Sequence, residues 1–202
     1  MKLKTIKRTK TTSIVLADEE FWGILPNKIL HFYSKNQSET FELTDGEADK
    51  LLKDIKRISW NKLLDYLAYR ERSLGECKTF LSQKLFLKKE LQPELLDKAV
   101  SSNFINDTRF AEMLTEELIR NSKSKIVIKN KLYGKKIDKE IITDILQKKF
   151  NSQTANEILE INIEKAKIRF SRFSEKVRNE KILNYLTRKG FAYWKVKDKL
   201  ED

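Results

Sequence analysis

From residue 44 onward, apolar residues recur every three to four positions, the spacing of a helical face turned to a core. Ala48, Leu51, Leu52 and Ile55 open the series. They follow Thr44-Asp45-Gly46-Glu47, a capping box in which the hydroxyl takes the N3 amide and the carboxylate returns to the cap amide. Trp60, Leu63, Leu64 and Leu67 predict the next helix. A second capping box, Ser73-Leu74-Gly75-Glu76, opens one carrying Cys77, Leu81 and Leu85. Pro93, suited to a first helical turn, precedes Leu95, Leu96, Ala99 and Val100. Asp107 is expected to cap a helix with Phe110, Leu114 and Leu118; Ser124, one with Ile128 and Leu132; and Asp138, one with Ile141, Ile142, Ile145 and Leu146. Thr154-Ala155-Asn156-Glu157 reads as a third capping box before Ile158, Leu159, Ala166 and Phe170. Val177, Leu183 and Leu186 mark a helix that Gly190 ends, and Phe191, Val196 and Leu200 the last.

The first 43 residues pattern differently. Ile14-Val15-Leu16 and Phe21-Trp22-Gly23-Ile24-Leu25 predict short strands, and Pro26 begins a short helix over Asn27-Lys28-Ile29-Leu30. Lys35-Asn36-Gln37-Ser38 is polar and loop-like, and Thr40-Phe41-Glu42-Leu43 alternates like a strand.

The helical part repeats. Leu91, Leu96 and Val100 align with Ile137, Ile142 and Leu146, and with Phe191, Val196 and Leu200. Shorter helices ending near Leu81, Leu132 and Leu186 precede these anchors, and Ser73 and Ser124 stand at equal distances before the first two. The turn after Leu81 is longer than its counterparts, with Leu87-Lys88-Lys89-Glu90 where a glycine is expected, and Ala192 stands where a capping Ser or Asp is usual. The predicted fold is mainly α: an elongated array of three tandem three-helix modules at 58–105, 106–151 and 152–202. A small strand and helix segment, 1–57, precedes them. Stacked modules touch mainly their neighbours.

Composition narrows the chemistry. One Cys (Cys77) and one His (His31) cannot form an intramolecular disulfide or a soft-ligand zinc site. Nucleophilic triads would rest on His31 alone, and five Gly with no GxGxxG or GxxxxGK[ST] leave no phosphate-cradling loop. No carboxylate pair stands out as an acid–base site, so the reading is of a non-enzyme without cofactor or metal. Met1 to Lys10 resembles the basic start of a signal peptide, but the apolar run Ile14-Val15-Leu16-Ala17 is too short for a signal core or a membrane span. The expectation is a cytoplasmic protein with no membrane contact, in which Cys77 and Phe110 are core and His31 is an ordinary packed or exposed side chain.

Charge is the sharper signal. The chain carries 42 Lys+Arg against 30 Asp+Glu, a net charge of +12, of which +10 falls in residues 58–202. Positions 118–137 contain no Asp or Glu and seven basic residues: Arg120, Lys123, Lys125, Lys129, Lys131, Lys135 and Lys136. A second acid-free interval, 181–197, holds Lys181, Arg188, Lys189, Lys195 and Lys197; an N-terminal arm holds Lys2, Lys4, Lys7, Arg8 and Lys10. Phosphates favour cations without carboxylates beside them, which would cancel the field. A single such run is an ordinary solvated face; three point to a polyanion-facing surface. Lys predominates over Arg, which suits sequence-independent backbone contact over bidentate base reading. Tyr133, Tyr193 and Trp194 interleave with the charges and could stack on bases, although core or module contact is the plainer role.

These residues carry a resemblance. Asn106-Asp107-Thr108-Arg109-Phe110-Ala111-Glu112 is similar to the D-x-R-F-A signature at the head of the second module of the RecX family. Tyr69-Arg70-Glu71-Arg72-Ser73 resembles that family's R-R-x-x-S stretch, Lys131-Leu132-Tyr133-Gly134-Lys135-Lys136-Ile137 its L-x-x-K-G-I turn, and Arg188-Lys189-Gly190-Phe191-Ala192-Tyr193 its R-R-G-F-S-Y turn. The resemblance implies a regulator, in effect an inhibitor, of the RecA recombinase. Such a protein lodges in the groove of the RecA–DNA filament and suppresses ATP hydrolysis, strand exchange and co-protease activity. It also implies partners: RecA protein and the RecA–DNA filament, with weak direct DNA binding by a monomer. The alternative resting on charge alone is a sequence-independent nucleic-acid-binding helical protein. The expected contact residues are Arg120, Lys123, Lys125, Lys129, Lys131, Lys135, Lys136, Arg188, Lys189, Lys195 and Lys197.

A compact globule of 202 residues has a radius of gyration of about 16–17 Å. The predicted module row should exceed that figure in small-angle scattering; a monomer scattering at the globular value would rule the row out.

Overall fold

The computed structural model describes residues 1–34 and 39–201. The loop expected at Lys35-Asn36-Gln37-Ser38 lies outside the described residues. The chain is mainly helical and forms two compact units, Met1–Asn106 and Asp107–Asp202.

The first unit opens with three antiparallel strands, β1 (Lys2–Lys7), β2 (Thr12–Ala17) and β3 (Glu20–Pro26), then α1 (Asn27–Tyr33) and a short β4 (Thr40–Glu42). The sheet order is β3-β2-β1-β4. The basic N-terminal arm of the sequence reading is therefore an inner strand, hydrogen-bonded on both sides by β2 and β4. Its alternation is weak, with Leu3 buried and lysines on either side, which is why periodicity missed it. Register shifts between Val15 and Leu16, and this bulge leaves Trp22 without a partner in β2.

The helix α2 (Asp45–Tyr69) then covers the sheet. A Cβ at Gly23 of β3 would stand 2.7 Å from Ile55 Cγ2, so only glycine permits this approach of strand to helix. The capping box at Thr44 and Glu47 is formed as expected. The two helices expected over this stretch are one, because no Gly or Pro interrupts 56–60 and Ile55, Ile58, Ser59 and Leu63 continue one buried face. The helices α3 (Leu74–Thr79) and α4 (Gln92–Ser101) complete the unit. Sheet, α1, α2 and both short helices share one hydrophobic cluster running from Leu3 to Ile105.

The second unit is all helix: α5 (Asp107–Arg120), α6 (Lys125–Gly134), α7 (Lys139–Lys149), α8 (Ser152–Arg169), α9 (Glu175–Arg188) and α10 (Tyr193–Glu201). Ser124 and Asp138 cap α6 and α7 as expected. Asp107 is itself the first residue of α5, one position inside the expected start. The start of α8 is also earlier than read. Asn151 Oδ1 accepts from the Thr154 amide at 2.8 Å, so Asn151 is the cap and Thr154 lies in the first turn. Asn is as good a cap as Thr, and it intercepts the chain first.

A common stop ends the second helix of each module. The residues Phe86, Lys136 and Gly190 all have positive φ. After each, an amide reaches back into the helix: Leu87 to the Leu81 carbonyl (3.0 Å), Ile137 to that of Leu132 (3.3 Å) and Phe191 to that of Leu186 (3.1 Å). This left-handed cap turns the chain and satisfies helix-end carbonyls. Leu81, Leu132 and Leu186 are all fully buried. In the first module the reach is one residue longer, because a π-helical turn, Phe80–Lys84, inserts a residue before the stop. The equivalent of Ile137 and Phe191 is thus Leu87, which is buried, and not Leu91. Leu96, Ile142 and Val196 are buried in all three modules, whereas Val100, aligned with Leu146 and Leu200, is 46% exposed.

Only the third module places glycine at the left-handed position. There a Cβ would also meet Ser124 Oγ at 2.8 Å. Gly190→Ala should lower stability by about 1–3 kcal/mol in urea denaturation. Lys136→Gly, at the same conformation on an exposed residue, should raise it by about 0.5–1 kcal/mol. Equal and opposite signs from those stated would mean that the shared stop does not set the energetics.

Candidate functional site

The basic residues of both C-terminal intervals stand on elements of the second unit. Ile128 and Leu132 pin α6 to the core, which turns Lys125, Lys129 and Lys131 outward. Arg120 is exposed at the end of α5, Lys123 and Lys136 are exposed in the turns flanking α6, and Lys135 is half-buried. On the other interval, Arg188 and Lys189 end α9 and are exposed, while Lys195 of α10 is half-buried. Lys197 lies 3.6 Å from Glu201 one turn along α10.

The fold joins the two intervals at one point. Ser124 Oγ, the cap of α6, donates to the Lys189 carbonyl at 2.7 Å. That bond sets the α9–α10 turn against the start of α6, so Lys125 and Lys195 line the same cleft. Lys131, Lys135 and Lys136 belong to the opposite end of α6, roughly 15 Å along its axis at 1.5 Å per residue. Lys125, Lys189 and Lys195 thus gather at the start of that helix, Lys131, Lys135 and Lys136 stand at its end, and Lys129 lies between. The residues Lys2, Lys4, Lys7, Arg8 and Lys10 belong to β1 and its following turn in the other unit, where Arg8 lies over the Phe86 ring at 5.4 Å.

Aromatic rings accompany the cations. Lys129 Nζ is 5.8 Å from the Tyr133 ring centre and Lys195 Nζ 5.3 Å from that of Trp194, which is 61% exposed. A further cluster at the α8–α9 turn brings in Arg169 and Arg172, which lie outside the basic intervals. Arg169 and Lys189 flank the Tyr185 ring at 5.1 and 4.5 Å, and Lys181 and Arg172 flank Phe173 at 4.6 and 5.0 Å. Phe170 packs edge-on against Tyr185. The hydrogen bond from Lys189, helped by the charges of Lys189 and Arg169, holds the Tyr185 hydroxyl below the usual phenol range. The pairing of Arg169 and Arg172 with Phe170 and Phe173 was visible in the sequence, but their meeting with Tyr185 and Lys189 needs the fold.

The signature residues are largely structural. Phe110 and Ala111 are buried in the core of the second unit. Arg70 bonds Glu76 at 2.7 Å, and Arg72 covers the Tyr66 ring at 4.1 Å while Phe80 stacks on the same ring at 4.1 Å. Cys77 is buried, as its helical face implied, and His31 is exposed. Among the described residues no helix is long and apolar enough to cross a membrane.

Comparison with known proteins agrees with this architecture. The family model described as RecX, second three-helix domain, matches residues 106–146. The regulatory protein RecX of Streptococcus sanguinis is 29% identical over 205 residues, covering 98% of this chain and 75% of its own. The RecX of Listeria innocua is 26% identical, covering 95% and 72%. Among solved structures, a regulatory protein RecX superposes with a TM-score of 0.69 at 21% identity, covering 99% of both chains, which speaks for the fold. RecX from Lactobacillus salivarius superposes with a TM-score of 0.64 at 26% identity, covering 72% of this chain and 96% of its own.

The Tyr185 environment is open to direct measurement. Its phenol should titrate below the range of a free tyrosine in an absorbance or NMR titration. Lys189→Met should move it upward, since the ammonium favours the phenolate. No movement would place Lys189 away from the ring in solution.

Proposed function

We propose that this chain, similar to RecX regulatory proteins over nearly its whole length, is an inhibitor of the RecA recombinase acting on the RecA–DNA filament. In this reading it seats in the filament groove and suppresses ATP hydrolysis, strand exchange and co-protease activity. The working units are the modules 58–105, 106–151 and 152–202, behind the segment 1–57. The observation that supports the reading best is the meeting of two acid-free, lysine-rich segments from different modules through the Ser124–Lys189 bond. A filament is a protein wrapped on a polyanion, and a cationic surface suits both components. Each exposed ion pair contributes only about 0–1 kcal/mol. Several held on one folded unit engage together through a high effective concentration.

The test is the ATPase of RecA from the same organism on single-stranded DNA. The protein should inhibit it well below saturation of the DNA sites. Charge reversal of Lys125, Lys129 and Lys189 together should weaken inhibition at least about tenfold, the equivalent of 1.4 kcal/mol. Full inhibition by the reversed protein would remove this surface from the mechanism. A folded wild-type chain that leaves the ATPase untouched would remove RecA regulation itself.

The second reading, sequence-independent nucleic-acid binding, is favoured by the exposed Trp194 and Tyr133 beside lysines. Bare duplex binding should be weak and salt-sensitive. Reversal of Lys125, Lys129 and Lys131 should reduce the slope of log affinity against log salt by about two to three if each meets a phosphate. An unchanged slope would mean that α6 faces water or protein.

A further inference from the structure

The cleft at the start of α6 has a volume of about 310 Å³, near the lower end of the range for small-molecule sites. Its walls are apolar: Ala155 and Leu159 of α8, Phe191 of the α9–α10 turn, and Ile126 of α6. Ile126 is 55% exposed, unusual for a large apolar residue beside two lysines. Lys125 and Lys195 also line it, and among the described residues no carboxylate does. The helices α6, α8 and α10 all begin here, and the positive ends of their dipoles add to the potential. The cleft is thus an apolar hole with a cationic rim.

Two polar groups of the lining are engaged within the fold. Ser124 Oγ donates to the Lys189 carbonyl, and Asn151 Oδ1 accepts from Thr154. A nucleobase held here would need an open ring face to stack on. Phe150 is buried, and Phe191 is engaged with the hydrophobic clusters on both sides of it. Phosphate needs cations, but no apolar hole. The combination matches a polypeptide segment in which a large apolar residue is flanked by acidic ones.

We infer that this cleft is a docking site for one large apolar side chain of a partner protein, with Asp or Glu residues on either side of it. The site deepens the RecA-regulator reading and rests on it for the identity of the partner. The apolar anchor supplies the energy by filling a concave pocket. Lys125 and Lys195 select the acidic flanks and accelerate encounter.

The experiment uses the full chain and a fluorescein-labelled peptide with a central Leu-Phe pair between runs of Asp and Glu. Binding is read by anisotropy. The wild type should bind the peptide, and replacing Leu-Phe by Ala-Ala should weaken it at least about tenfold. Ala155→Leu, which fills the cleft from a helical position without a change of charge, should weaken it similarly. Lys125→Glu with Lys195→Glu should weaken it while leaving the apolar walls in place, so a misfolded Ala155→Leu does not remove the test. Binding of oligo-dT should be unaffected by Ala155→Leu. Equal peptide affinity for wild type and both variants overturns the site. Loss of oligo-dT and peptide together in Ala155→Leu, with the melting curve intact, makes it a nucleic-acid site and also overturns it. Failure of the underlying reading shows separately, as an unaffected RecA ATPase with cleft-dependent peptide binding preserved.

Discussion

Phe191 packs against both hydrophobic clusters of the second unit, and much of that unit depends on its placement. The residue before it, Gly190, has φ +82° and sits too close to Ser124 to bear a side chain. The residue before that, Lys189, gives its carbonyl to the Ser124 hydroxyl at 2.7 Å. Three consecutive residues thus turn the chain, tie it to another module and plug the seam. The helix α8 reinforces the seam from the other side. Ile158 belongs to one cluster and its neighbour Leu159 to the other. One turn on, the buried Asn162 donates to the Ser122 carbonyl at 2.9 Å and to that of Ile158 at 2.8 Å. A buried amide left unpaired would cost about 1–3 kcal/mol, so these bonds hold α8 in one register against the turn before α6.

The same seam organises the charge. Lysines repel, and a cluster of them is stable only where the backbone leaves no choice or where counter-charges lie behind. Lys199 and Lys149 take the second course, with Glu160 and Glu116 at 2.8 and 2.6 Å. Lys125, Lys189 and Lys195 take the first, gathered by a hydroxyl–carbonyl bond and a glycine turn. The family signatures serve this architecture: the Arg-Lys-Gly-Phe run makes the turn, and Phe110 and Ala111 anchor the core beneath. A surface held so firmly loses little freedom when it meets a partner, which favours a binding role.

Much of the fold was legible in the residues themselves, and the failures have physical causes. The caps at Thr44, Ser73, Ser124 and Asp138 depend on local hydrogen bonds and were read correctly. The cap of α8 was displaced because Thr154 and Asn151 both satisfy the local rule, and only the structure shows which is used. The first module's anchor was placed at Leu91 because five residues are added between Leu81 and Leu96, one by the π-helical turn at Phe80–Lys84 and four by Lys88 and the 3₁₀ turn Lys89–Leu91, and no sequence mark divides them. Strand β1 was read as a basic arm because its lysines mask the alternation. Of the candidate residues, Lys125, Lys129 and Lys131 lie on the helix that Ser124 was expected to open, while the meeting of Lys125 with Lys195 and the Arg169–Tyr185–Lys189 cluster depend on distances between helices.

The sequence by itself determined the helical periods, the places where helices can start, the clustering of positive charge and the resemblance to the RecX family. All of these are properties of neighbouring residues, carried by local geometry and composition. The tertiary structure alone decided that Leu87 is the equivalent of Ile137 and Phe191, and that the arm is an inner strand. It also decided that Lys125 and Lys195 share a cleft. These depend on contacts between residues far apart in the chain, such as Ser124 with Lys189, and no local pattern encodes which distant group will satisfy a hydroxyl.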